Sequence, residues 1–310
     1  MSVEKGNSNI TDRLGTGSPL LLDGAMGTQL LIRNVDVGLP LWSAAILENS
    51  PSTVEKIHAE YLHAGADVVT TNTFRTTTRT FQKVCNDLKE ATRRAREVCR
   101  TAVEVARNAA GEAPFVAGSV APLEDCYLPD LFPGENAALE EFTELGNWLV
   151  EDGVDFLLIE TMGRLDEARC ALQAVSSHDI PKWVSFIIRD PEHLLDNSSL
   201  AETASMVSGE DASAILVNCS SLPDAVKAVE VLSTTTNLPV GLYPNLGKSM
   251  PSPDGTIEEY FSVEEFTEAM RTAITAGARI SVLVAAPVRN TQGHSMPSCE
   301  FELRVSLIDS

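Results

Sequence analysis

The apolar positions of this chain gather into short runs rich in branched and aromatic residues, over 20–26, 68–74, 115–120, 156–162, 183–188, 214–220, 238–244 and 280–286. Most runs are continuous rather than alternating, the pattern of strands that bury both faces in a parallel sheet. Between them apolar residues recur at every third or fourth position, which predicts amphipathic helices over 52–65, 85–110, 137–153, 164–176, 200–208, 222–232 and 263–277. In the first of these Val54, Ile57, Tyr61 and Leu62 share one face; in the third Phe142, Leu145, Trp148 and Leu149 do. Gly65, Gly153 and Gly277 each close a helix just before a strand, where glycine takes the left-handed C-cap conformation at low cost.

Eight strands alternating with helices predict an α/β fold, a closed (β/α)8 TIM-type barrel built as a single domain. A doubly wound open sheet is the alternative, but no GxGxxG fingerprint follows the first run. The expected organisation is a polar N-terminal extension over 1–18, the barrel over 19–286 and an atypical tail over 287–310. Residues 125–136 and 243–260 read as loops above the barrel mouth. In such barrels the chemistry sits at the C-terminal ends of the strands, so functional residues are sought there.

Charge narrows the partners. The 44 acidic and 23 basic side chains leave a formal charge of −21, a field that repels phosphates, so neither a nucleic acid nor an anionic membrane is an expected partner. A hydrophobic content of 44% with 22% charged residues is that of a folded globular chain. No apolar run reaches the roughly 18 residues needed to span a membrane. Glu4, Lys5, Asp12 and Arg13 stand where a signal peptide needs an apolar stretch, so a cytoplasmic location is expected. The six cysteines, Cys85, Cys99, Cys126, Cys170, Cys219 and Cys299, show no paired spacing and read as free thiols. Oligomeric state leaves no signature.

The strand ends carry the candidate chemistry. The first run ends in Asp23-Gly24-Ala25-Met26-Gly27-Thr28. A carboxylate beside glycines can accept from a ligand ammonium while backbone N–H groups approach the ligand's own carboxylate; the same hexapeptide also fits a tight βα turn. The second run ends in Thr70-Thr71-Asn72-Thr73-Phe74-Arg75, polar in an otherwise apolar setting. The fourth ends in Glu160, costly to bury without a cation, either a ligand's or an internal arginine's. The sixth ends in Cys219, which alone reads as a small apolar filler and beside two carboxylates reads as a metal ligand or nucleophile.

These segments, with Ala64-Gly65-Ala66-Asp67-Val68-Val69 and Ala117-Gly118-Ser119-Val120-Ala121-Pro122, occur in an order that resembles the homocysteine S-methyltransferase family over 20–280. The resemblance implies a barrel enzyme that moves a methyl group to the thiol of homocysteine, giving methionine. It implies small-molecule partners, homocysteine and a methyl donor whose identity is not legible. It also implies a zinc ion held by three cysteine thiolates, one after strand six and an adjacent pair after strand eight. Zinc would supply the thiolate that a thiol of pKa near 8.5 lacks at neutral pH. By position Cys219 matches the first zinc ligand, and Asp23, Gly24, Phe74 and Glu160 match the homocysteine-binding residues.

The cysteine pair is missing. After Ile280 the chain reads Ser281-Val282-Leu283-Val284-Ala285-Ala286-Pro287-Val288-Arg289-Asn290-Thr291. One thiolate does not make a zinc site of the family type, and Cys299 is the only other downstream thiol. Written with permitted synonymous codons and read one base out of frame, the segment becomes Ile-Gly-Ala-Cys-Cys-Gly-Thr-Gly-Pro-Glu-His. A frameshift in the coding DNA near Ser281 therefore accounts for the loss. One rival reading is a non-catalytic barrel that binds an amino acid or a protein partner without metal. Another uses Cys219 covalently and needs a base, but His58, His63, His178 and His193 are expected on helices or away from strand ends.

Overall fold

The computed structural model describes residues 9–248 and 259–282. Eight strands close a barrel: β1 (Leu20–Leu22), β2 (Val68–Thr70), β3 (Phe115–Val120), β4 (Phe156–Met162), β5 (Lys182–Phe186), β6 (Ala214–Asn218), β7 (Val240–Tyr243) and β8 (Ala278–Val282). Each lies parallel to its neighbours in sequence order, and β8 returns to β1 through Leu20↔Ile280, Leu21↔Ser281 and Leu22↔Val282. The continuous apolar runs are explained by this closure. Leu20 and Leu22 point inward beside Phe156, Leu158 and Trp183, while Leu21 packs outward on Ile57 and Tyr61.

The helices are α1 (Ile10–Leu14), α2 (Met26–Ile32), α3 (Ala45–Asn49), α4 (Pro51–His63), α5 (Thr78–Gln82), α6 (Leu88–Ala110), α7 (Glu135–Glu151), α8 (Leu165–Ala174), α9 (Leu200–Gly209), α10 (Leu222–Thr235) and α11 (Val263–Thr275). All seven sequence-predicted helices are among them. Gly65, Gly153 and Gly277 all have positive φ, as the C-cap argument requires. Two of the turns they make carry the same latch at the floor of the barrel. The Asp67 carboxylate accepts from the Leu21 N–H at 3.0 Å, and the Asp155 carboxylate accepts from the Val116 N–H at 2.7 Å. Arg13 and Arg107 pair with these two aspartates from outside.

Two expectations change, and a third falls outside the described residues. The segment over 1–18, expected as a polar extension, contains α1, whose Ile10 and Leu14 are buried against the barrel interior and plug its floor. The last strand begins two residues earlier than its apolar run, because Gly277 turns the chain directly into Ala278. The expected tail over 287–310, with Cys299, lies outside the described residues, as do 283–286 and much of the loop over 243–260. Among the described residues no helix is long and apolar enough to cross a membrane, and the five described cysteines are free.

Candidate active site at the barrel mouth

Asp23 directly follows β1, Phe74 lies four residues beyond β2, Glu160 is in the last part of β4 and Cys219 directly follows β6. In a parallel barrel these positions share one rim, so the fold brings together the residues that sequence reasoning selected. Gly24 sits beside Asp23 at the same rim, partly exposed.

Asp23 is 8% exposed and held by β2: its Oδ2 accepts from the Thr70 N–H at 2.9 Å and its Oδ1 from the Thr70 hydroxyl at 2.8 Å. The polar end of β2 continues this belt. The Thr71 hydroxyl accepts from the Ser119 N–H at 3.0 Å, and the Thr73 hydroxyl donates to the Ser119 carbonyl at 2.7 Å. Ser119 in turn donates its hydroxyl to Glu160 Oε1, while Tyr243 on β7 donates to Oε2 at 3.2 Å. Burial pushes the Glu160 carboxyl up to about 7, and the charge of Asp23 adds to the rise against the lowering effect of the two hydroxyl donors. Among the described residues no arginine or lysine is paired with Glu160, which leaves its carboxyl open to a cation from outside.

Cys219 is tied to the same rim by Asn218. The Asn218 amide N–H donates to the Thr161 hydroxyl at 2.7 Å and to Cys219 Sγ at 3.3 Å, and its Oδ1 accepts from the Thr161 N–H and the Ser185 hydroxyl. Burial, with the nearby Cys126 thiol and Glu160 adding to it, pushes the Cys219 thiol up to about 12. Without a cation beside it Cys219 is therefore a thiol, not a thiolate. Trp42, Thr161 and Cys219 all adopt left-handed backbone, with φ of 47°, 61° and 49°. This conformation is costly for residues with a Cβ, most of all β-branched Thr161, and it lies here beside the candidate ligands.

One wall is aromatic. The Trp42 and Phe74 rings meet edge to face with centroids 5.6 Å apart. Gly27 lies under the Trp42 ring, where an added Cβ would stand 2.5 Å from Cζ2. Ser43 and Asn72 fix the Trp42 loop to the end of β2 through bonds of 2.6 and 2.8 Å.

Sequence reasoning gave no role to Asn218, Ser119 or Tyr243, and it set His58 aside as a helix residue. That histidine is on α4 as expected, yet its ring is fully buried with Nδ1 3.7 Å from Asp23 Oδ2, so it reaches the rim from behind β1. His193 pairs instead with Asp190 in a short hairpin, Ile188–Asp190 with His193–Leu194.

The donor set falls short of a zinc site. Among the described residues no three His, Cys, Asp or Glu side chains gather as a metal group, and Cys219 stands as the one strand-end thiol. These residues do not complete a site of three or four ligands.

The homocysteine S-methyltransferase family profile matches residues 20–283. The homocysteine S-methyltransferase of Escherichia coli K12 is 31% identical over 243 residues, 74% of this chain and 78% of that one. YbgG of Bacillus subtilis, a homocysteine S-methyltransferase, is 28% identical over 284 residues, 86% of this chain and 90% of that one. The crystal structure of the homocysteine methyltransferase MmuM from Escherichia coli in its metallated form superposes with a TM-score of 0.75 at 28% identity, covering 87% of this chain and 93% of that one.

Proposed function

We infer the function from kinship: this chain belongs to the homocysteine S-methyltransferase family. It is a methyltransferase that moves a methyl group to the thiol of homocysteine, giving methionine. The observation that carries this reading to the residues is the pair of carboxylates, Asp23 and Glu160, on the rim that also bears Cys219.

Glu160 and Asp23 hold the substrate's ammonium. Ser119 and Tyr243 aim the first carboxylate and Thr70 aims the second, so both are oriented before the substrate arrives. Backbone N–H groups around Gly24 receive the substrate carboxylate, and the Trp42–Phe74 wall shields the reacting sulfur from water. The homocysteine sulfur, its thiol proton released to water, attacks the methyl carbon of a donor whose sulfur or nitrogen carries positive charge. A new S–C bond forms as the donor's C–S or C–N bond breaks, and its electron pair stays on the donor heteroatom.

Zinc is the cofactor we propose for the family's ligand pattern, with Cys219 as one ligand. When bound, it supplies a thiolate at neutral pH. The described residues of this chain do not complete that shell. The proposed partners are homocysteine and a small methyl donor, and the proposed compartment is the reducing cytoplasm, where dispersed free thiols persist.

The test is methionine formation from homocysteine with S-methylmethionine, betaine or a methylfolate as donor. It is run with zinc on this chain and on a version whose frame is restored after Ile280. Methionine from the restored version with any donor supports the reading; none from either version with all three overturns it.

A further inference from the structure

We infer that His58 is a positioning residue for Asp23: its Nδ1–H closes onto Oδ2 and leaves Oδ1 as the atom that receives the substrate ammonium. This rests on the reading of Asp23 as an ammonium anchor. His58 is fully buried on α4, and among the described residues neither ring nitrogen has a hydrogen-bond partner. Buried polar atoms left in that state are costly and rare, and the carboxylate 3.7 Å from Nδ1 is the partner in reach.

The distance is too long for a hydrogen bond as it stands. Bonds of this kind are often long in ligand-free sites and tighten when substrate binds.

The acceptor geometry decides what the closure does. Each carboxylate oxygen offers two acceptor positions. The Thr70 N–H occupies one on Oδ2 and the Thr70 hydroxyl one on Oδ1. If His58 fills the second position on Oδ2, only Oδ1 retains an open position. The carboxylate then presents one oxygen to the ligand instead of two alternatives. A neutral ring with its proton on Nδ1 and a charged ring both supply the required N–H, and a ring protonated only on Nε2 does not.

Tyr61, one turn along α4, faces the same space. Burial and then the Asp23 charge raise its hydroxyl above the ordinary value, so the field of Asp23 reaches behind β1. The other charged groups acting on that space are Arg33 and Glu60, which pair with each other.

A purely structural buried histidine would affect stability and leave binding alone. The test is calorimetric titration of the full chain with L-homocysteine for the wild type, His58→Leu, His58→Asn, Asp23→Asn and the double variant of His58→Leu with Asp23→Asn. His58→Leu should weaken binding about tenfold, the scale of one hydrogen bond to a charged group. His58→Asn, which restores an N–H near the Nδ1 position, should recover most of the loss. In the Asp23→Asn background His58→Leu should have no further effect, because its route to the ligand is already gone. Affinity within twofold of wild type for His58→Leu, or a loss that adds in full to that of Asp23→Asn, overturns the inference.

A second readout needs no substrate. Imidazole 15N spectra of the wild type should show a proton on Nδ1 of His58, and Asp23→Asn should shift that signal. A ring protonated only on Nε2, or a signal indifferent to Asp23→Asn, overturns the inference even if His58→Leu does not fold. If no chain binds homocysteine, the ammonium-anchor reading of Asp23 fails, and the spectra still decide the role of His58.

Discussion

Glu160→Gln separates the ammonium-anchor role from every other role of this side chain. The carboxyl is lifted from its ordinary 4.5 to about 7, chiefly by burial, so it is about nine-tenths ionised at pH 8 and about one-tenth at pH 6. Only the ionised form grips an ammonium. The wild-type affinity for homocysteine should therefore fall about tenfold as pH drops from 8 to 6, whereas Glu160→Gln should be flat across that window. At pH 8 the substitution removes a charge-assisted bond worth about 1.5–3 kcal/mol, or roughly 10- to 150-fold in Kd. In turnover the loss should appear in KM with kcat nearly intact, since the ammonium is gripped equally in ground and transition states. Stability should move the other way. A carboxyl with a raised folded pKa keeps its proton in the fold, so stability declines as pH climbs from about 4.5 to about 7 and stays lowered above that. Glutamine removes the burden, so Glu160→Gln should be more stable than wild type at pH 8 by up to about 3 kcal/mol, with no excess below pH of about 4.5. Calorimetric titration at several pH values and thermal melts measure both. An unchanged Kd with kcat cut a hundredfold would refute the anchor role and put an acid–base role in its place.

Thr70→Val deletes the hydroxyl that donates to Asp23 Oδ1 and should weaken homocysteine binding severalfold while leaving the far-ultraviolet dichroism unchanged; an unaffected Kd would count against Asp23 as a fixed anchor. Gly241→Ala should destabilise the barrel by about 1–3 kcal/mol in denaturant melts, because overpacking there has no outlet. The added Cβ would lie 2.6 Å from Ile280 Cβ and 3.0 Å from its carbonyl oxygen, and a neutral effect would show that β7 and β8 are further apart than described. A chain restored to Ile-Gly-Ala-Cys-Cys-Gly-Thr after Ile280 should bind about one zinc and lose it on Cys219→Ser, as measured by metal analysis after dialysis. Tight stoichiometric zinc in the chain as it stands would mean that the ligands lie elsewhere.

The barrel was legible because its strands are buried on both faces, which writes most of them as continuous apolar runs, three of them after a helix closed by glycine. Asp23, Glu160 and Cys219 were legible for the converse reason: each is a polar or reactive residue ending such a run. Their supports were not. Ser119 meets Glu160 across 41 residues, Asn218 meets Thr161 across 57 and Tyr243 meets Glu160 across 83, so each role exists only once the strands are side by side. The role of His58 was hidden by its helix, since spacing along α4 marks it as core and says nothing of the carboxylate behind β1. The plug helix α1 escaped notice because two apolar residues in five make no periodic signal.

The aspartate latches at the floor set where this chain tolerates being cut. Asp67 and Asp155 each fasten the second N–H of the preceding strand, two residues after a left-handed glycine, so the turns at 65–67 and 153–155 have no slack to absorb an inserted residue. The segment over 125–134 at the opposite end runs partly exposed between β3 and α7, folded in short turns of its own and fastened by Arg164, which donates to the Pro129 carbonyl at 3.0 Å. New chain ends opened in that segment would keep every strand-to-strand bond, whereas ends opened at either latch would detach two adjacent strands at their roots. For rebuilding this barrel by permutation or domain insertion, the rim is the seam and the floor is the keel.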